Sequence, residues 1–160
     1  MIQFDKLSFK RERELMTKIA FGFIGKWYSW GGNDPSGFDC SGFACELLKS
    51  LGFMVKGNDK SASDIYSYFH SKKCDVEEPY EGCFVFWFGT TKTKFGYYPI
   101  VHIEYCINEK YSIGASGGTS KTITKENAIR DNAFIKVRPI KRDRKIAGYI
   151  DPFKLWEEEK

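Results

Sequence analysis

The stretch YSWGGNDPSGFDCSGF, Tyr28 to Phe43, sets four glycines, a proline and several short polar residues around a single cysteine, and then turns helical. Glycine permits tight turns and close backbone approach, so the segment reads as a compact loop running into a helix. Asp39 and Ser41 are both N-cap residue types, which places Cys40 in or beside the first helical turn. Unpaired N–H groups and the positive end of the helix dipole stabilise an anion there, and a thiolate is such an anion. Burial as a packing residue is the ordinary fate of a cysteine. The glycine loop points the other way, because close backbone approach serves a substrate and is wasted on packing.

The elements around this seam follow from periodicity. Leu15, Ile19, Phe23 and Trp27 recur every fourth residue and predict a first helix over about Arg11 to Trp27. A second helix begins near Cys40, carries Phe43, Ala44, Leu47, Leu48 and Leu51 on one face, and stops at Gly52. A third starts at Ser61 or Ser63 and carries Ile65 and Phe69. The period then changes. Cys83 to Phe88 is a wholly apolar run, read as a buried strand. Ile100 to Ile107 alternates, with His102 and Glu104 opposite Val101, Ile103, Tyr105 and Ile107. A hairpin at Asn108-Glu109 leads into Lys110–Ser116; Ala133–Ile140 and Gly148–Ile150 complete about five strands. Helices first and strands after predict an α+β fold on an antiparallel sheet. At 160 residues and 42% hydrophobic, the chain suits one domain, residues 1–160, with a real core.

Composition narrows the chemistry. A net charge of +4 is compatible with an anionic polymer as partner. No Lys/Arg tract is dense enough to track nucleic acid, and the Lys141–Lys145 run reads as a solvated turn. No apolar run approaches membrane-spanning length. The first residues carry charges where a signal peptide needs an apolar segment, so the expectation is synthesis in the cytoplasm and no cleaved leader. Five cysteines without a CxxC pair, and two histidines, give no zinc cage and imply no cofactor. A thiolate nucleophile needs a base. His70 lies in a polar helical patch and reads as a surface residue. His102, on the polar face of an otherwise apolar strand, is the better partner for Cys40.

Together these residues resemble the NlpC family of cell-wall cysteine peptidases, a papain-like group. Tyr28, Trp30, Gly31, Gly32, Pro35, Gly37, Phe38, Asp39, Cys40, Ser41 and Gly42 match its loop-and-helix motif. Gly82–Trp87 resembles a second block, with Cys83 where the family has aspartate, and His102–Cys106 resembles a third. The likeness runs from about Arg11 to Ile140. It implies a papain-like fold, Cys40 as nucleophile and His102 as general base. It also implies Tyr28 near the oxyanion site, and Asp39 and Ser41 binding the free amino end of a peptidoglycan stem peptide. The implied reaction is amide hydrolysis in such peptides, often between D-γ-glutamate and the following diamino acid.

One departure stands out. The family's third polar residue, usually histidine, falls at Gly114, which has no side chain, while Glu104 stands where the family usually has glycine. Glu104 is two residues from His102 and so shares its side of the strand. With a turn near Asn108, Gly114 is expected across from His102. Relocation of the third role to Glu104, its carboxylate meeting His102 Nδ1, is one reading. A solvent-exposed Glu104 and a weakened site is the other, with Ser112 a further candidate. The competing functions are an acyl transferase or amidase on the same scaffold, since a thioester can be intercepted by nucleophiles other than water, and a non-catalytic wall-binding or assembly protein. Without a leader or a wall-binding module, a phage lysin, a virion component or another export route is expected. The basic, aromatic loop Gly89–Pro99 is either a wall of the substrate groove or an ordinary surface loop.

Overall fold

A computed structural model describes residues 8–34, 37–55 and 60–157; Pro35 of the motif lies outside them. Helix α1 spans Lys10–Phe21, α2 Cys40–Ser50 and α3 Ala62–Ser71. A small hairpin, β1 (Asn33–Asp34) and β2 (Gly37–Phe38), precedes α2. The remaining elements are β3 (Asp75–Val76), β4 (Phe84–Phe88), β5 (Ile100–Cys106), β6 (Tyr111–Ser116), α4 (Lys125–Asp131), β7 (Phe134–Pro139), β8 (Ile146–Ile150) and α5 (Lys154–Glu157). The main sheet has six strands in the order β3-β8-β4-β5-β6-β7, every neighbouring pair antiparallel. The expected helices-on-antiparallel-sheet architecture is present. The added strand, β3, is two residues long and too short to show a period.

Strand β4 is apolar throughout because both of its faces are covered. Phe84 and Phe86 join the large core under α2 and α3, with Phe43, Leu47, Leu48, Ile65, Phe69, Ile103 and Tyr105. Val85 and Trp87 join a second cluster on the opposite face, with Tyr80, Cys83, Cys106 and Ile140. The stripe read for α2 is the buried one, and the helix ends at Ser50, where Gly52 at φ 81° turns the chain away. Ser61 caps α3 in a capping box with Asp64. The β5–β6 turn is held by Asn108, whose Oδ1 accepts from the backbone of Lys110 and Tyr111, both at 2.8 Å.

Two elements differ from expectation. Helix α1 stops at Phe21 with Gly22 as its C-cap, so Phe23 and Trp27 are not helical. Leu15 is 48% exposed, and the buried face is Arg13, Met16 and Ala20. A charged residue at a core position hid that face from a search for apolar spacing. Helix α4 was not foreseen, because only Ala128 is buried and the helix rests instead on a Thr124–Asn127 capping box. The Gly89–Pro99 loop is a surface loop, with Phe95, Tyr97 and Tyr98 all exposed.

Arg13 ties the N-terminal helix to the chain's far end. Its Nη1 and Nη2 donate to Asp151 Oδ1 and Oδ2 at 3.0 and 2.8 Å, and Tyr80 Oη donates to Oδ2 at 2.6 Å, all buried. The guanidinium also stacks 4.4 Å from the Phe153 ring centroid. Removing one member strands a buried charge. Arg13→Met should therefore lower stability in urea denaturation by about 3–5 kcal/mol. Adding Asp151→Asn should recover part of that loss; unchanged stability in the single variant would contradict the account.

Candidate active site

Backbone contacts of the glycine loop fix the start of α2. Asp39 N donates to Gly32 O at 3.0 Å, Ser29 N to Phe38 O at 3.0 Å, and Trp30 N to Thr122 O at 2.8 Å. Asp39 is the N-cap of α2: its Oδ1 accepts from Gly42 N at 2.6 Å and its Oδ2 from Gly31 N at 3.0 Å. Ser41 Oγ donates to the same carboxylate at 3.2 Å. A Cβ on Gly42 would lie 2.0 Å from the Gly32 carbonyl oxygen, so only glycine lets the loop press against the helix start. Cys40 is therefore the first residue of α2, half-buried, its Sγ 3.8 Å from Val101 O.

Of the expected residues, Tyr28, Asp39, Cys40, Ser41 and His102 line one cleft of about 510 Å³, and Glu104 is buried behind its wall. Its helix wall carries Asp39, Cys40, Ser41 and Ser61, with Tyr28 and Trp30 from the loop; its sheet wall carries Val101, His102, Ser116, Arg138 and Arg144. His102 lines the same cleft as Cys40, near enough for the thiol to act on the charge of the imidazole. Tyr28 is buried, and burial, then the nearby Cys40 and Asp39, push its phenol up. His70 stands apart, its side chain 63% exposed and paired with Asp75 at 2.9 Å. The other four cysteines are buried.

Glu104 is the hub of the sheet wall and is fully buried. His102 Nε2 donates to Glu104 Oε2 at 2.6 Å; the nitrogen is Nε2 and not the expected Nδ1, which leaves Nδ1 for the thiol side. Arg142 Nη2 donates to Oε2 at 2.7 Å, and Ser112 Oγ to Oε1 at 2.9 Å. Ser116 Oγ and Arg138 Nη2 lie further off, at 3.4 and 3.5 Å, and are hydrogen bonded to each other. The Arg142 guanidinium lies 4.2 Å from the Trp87 ring centroid, and Trp87 packs against His102.

The expected pairing of Gly114 with His102 is corrected by the register. Tyr105 faces Ile113 and Cys106 faces Ser112. Gly114 thus lies beside Glu104, and a Cβ there would sit 2.4 Å from Glu104 Cγ. The missing side chain at position 114 is the space Glu104 fills. The Lys141–Lys145 run is corrected too: Arg142 is not solvated but folded over Glu104, its side chain 16% exposed. Arg138 and Arg142 were missed because their partner, Glu104, lies on another strand, and Arg144 because nothing in its own stretch marks it as lining the cleft. A buried Glu104 would have demanded a cation, and that was the available signal.

The two titrating groups support each other. Burial lowers the His102 pKa, but Cys40 and Glu104 outweigh it and raise the imidazole to about 9. Burial raises that of Glu104, but His102 and Arg142 hold the carboxyl well below the usual range.

Comparison with known proteins follows the same residues. The NlpC/P60 family profile matches residues 25–133. Protein P54 of Enterococcus faecium is 37% identical over 68 residues, 42% of this chain and 12% of that protein. The probable endopeptidase p60 of Listeria grayi is 35% identical over 63 residues, 39% of this chain and 11% of that protein. The match thus takes in only a small part of either relative. An NlpC/P60 family protein from Bacillus cereus superposes with a TM-score of 0.64 over 86% of this chain and 39% of that one, at 18% identity. The peptidoglycan hydrolase RipB from Mycobacterium tuberculosis gives 0.60 over 89% and 64%, at 19% identity. At these identities the structural likeness is one of fold.

The sign of the pH dependence follows. His102 is raised above its unfolded value of about 6.5, so its contribution to stability is full below that pH and lost as pH rises through about 9. Glu104 is depressed, so its contribution is present above about pH 4.3 and lost as pH falls below it. The stability gap between wild type and Glu104→Gln should be widest between those two limits and narrow on either side. Histidine NMR should report a lower His102 pKa in the variant; an unchanged His102 titration would contradict the coupling.

Proposed function

The chain belongs to the NlpC/P60 family, and from that premise we propose that it is a cysteine hydrolase cleaving amide bonds in peptidoglycan stem peptides at the cell wall. The observation that carries this reading is that Cys40 and His102 line one cleft, with Glu104 buried behind the imidazole. Cys40 sits on the first turn of α2, His102 faces it from β5, and Glu104 holds the far nitrogen of that imidazole. The names of relatives support the substrate class: one is called a peptidoglycan hydrolase and another a probable endopeptidase.

In this mechanism Cys40 Sγ attacks the carbonyl carbon of the scissile amide while its proton resides on His102. The imidazolium then gives that proton to the departing amine, leaving a thioester on Cys40. Water, deprotonated by His102, attacks the thioester, releases the acid and restores the thiol. Glu104 fixes the tautomer and favours the imidazolium, the role a third residue has in such sites. The helix N-terminus stabilises the thiolate. The Tyr28 phenol, kept protonated by burial, is a donor toward the developing oxyanion. Asp39 and Ser41 receive the free amino end of the stem peptide. The Asp39 oxygens already serve backbone N–H groups, but a carboxylate has about four lone-pair sites, so capacity remains. The favoured scissile bond is the one following D-γ-glutamate.

The missing side chain at Gly114 would by itself favour the non-catalytic reading. Glu104, which occupies the space beside it, supports the catalytic reading instead.

Digestion of purified muropeptides followed by mass spectrometry tests the proposal. Cys40→Ser and His102→Ala should each reduce turnover on the order of 10³-fold or more while remaining folded. His70→Ala should leave turnover near wild type, and a metal chelator should have no effect. Near-normal cleavage by folded Cys40→Ser protein would sink the assignment. Glu104→Gln should lower kcat more than it changes KM, and Glu104→Gly combined with Gly114→His should recover part of that loss.

A further inference from the structure

Three arginines converge on the sheet side of the site, and among the described residues one carboxylate, Glu104, pairs with two of them. Arg142 and Arg138 both pair with Glu104, at 2.7 and 3.5 Å, and Glu104 also accepts from His102. Arg144 comes from the same β7–β8 connection as Arg142 and lines the cleft beside Cys40 and His102. Among the described residues its guanidinium has no hydrogen bond or ion pair of its own, although it is only partly exposed. Burial, then Arg142, hold that guanidinium below its ordinary value, while Cys40 and Glu104 act to raise it. Positive charge is therefore in excess on this wall, and a half-buried cation without an anion is costly.

The opposite wall is different. It presents one acid, Asp39, at the start of α2. A ligand that complements both walls carries an amine and a carboxylate on either side of the group facing Cys40. A volume of about 510 Å³ is in the usual range for a small ligand or short peptide. A guanidinium receives a carboxylate through two parallel N–H···O bonds, a geometry that a hydrated lysine does not match.

We propose that Arg144, with Arg138 behind it, forms a carboxylate-binding subsite, so that the substrate carries a free carboxylate beside the amide presented to Cys40. The inference rests on the hydrolase reading and names its substrate class: stem peptides that are acidic next to the cut. Two groups have this chemistry in such peptides, the α-carboxylate of the γ-linked glutamate and a carboxylate on the residue that leaves.

The test uses wild type and Arg144→Gln with three synthetic L-alanyl-γ-D-glutamyl-diamino acid peptides. One has every carboxylate free, one has the glutamate α-carboxylate amidated, and one has the leaving residue's carboxylates amidated. Amidating the group that Arg144 binds should raise KM about tenfold or more in wild type. In Arg144→Gln the ratio should fall to near one, and whichever amide shows the effect identifies the carboxylate. Equal KM for all three peptides in wild type, or the same ratio persisting in Arg144→Gln, would overturn the subsite. A second measurement needs no turnover. The Arg144 Nε–Hε NMR resonance, assigned by its loss in Arg144→Gln, should shift as acetate is added. If no peptide is cut and acetate still shifts it, the hydrolase reading falls and the subsite stands. If it does not move and peptides are cut regardless of amidation, the subsite falls and the hydrolase reading stands.

Discussion

A fully buried carboxylate must be paired and hydrogen-bonded, or it takes up a proton instead. Glu104 meets that demand with an imidazole, an arginine and a serine hydroxyl within 2.9 Å. Much of the surrounding arrangement answers this one requirement. Arg142 leaves the solvent and stacks on Trp87 to reach it. Ser112 turns its hydroxyl inward from β6. Position 114 stays empty so that the side chain has room. His102 gains a fixed orientation in return, and with it the ability to face Cys40 with its other nitrogen.

The site is thus assembled from two walls with different origins. The helix wall is built by local chemistry: a glycine loop, an N-cap and the first turn of α2, all within one continuous stretch. The sheet wall is built by strand pairing, with His102 and Glu104 on β5, Ser112 and Ser116 on β6, Arg138 on β7, and Arg142 and Arg144 beyond it. The first wall carries negative charge beside a helix terminus that favours anions; the second carries an excess of cations. That polarity complements a ligand with an amine at one end and a carboxylate at the other. Beneath both walls, the Arg13–Asp151–Tyr80 network binds the first helix to the end of the sheet.

Legibility followed the range of the interactions. The Asp39 cap, the α2 stripe and the Ser61 start of α3 were readable because each is fixed by residues within a few positions of one another. Helix α1 misled because its buried face includes Arg13, whose partner lies at Asp151. Helix α4 gave no signal because it buries almost nothing. The reading of Lys141–Lys145 as a solvated turn holds for Lys141, Asp143 and Lys145 but not for Arg142, for the same reason as α1: charge was taken as a sign of exposure, when a charge can also be the answer to another charge out of sight.

The sequence by itself determined that Cys40 stands at a helix start behind a glycine loop, that His102 and Glu104 share one side of a strand, and that helices pack on an antiparallel sheet. These rest on local rules of capping and on the two-residue period of a strand. Only the tertiary structure decided that this side of β5 is buried, that Gly114 lies beside Glu104 rather than His102, and that three arginines gather there. Strand register moves every cross-strand partner together, and the energy that sets it is spread over the whole sheet and both its cores. No stretch of chain carries that information alone, so the orientation of the imidazole and the charge of the cleft exist only once the sheet has formed.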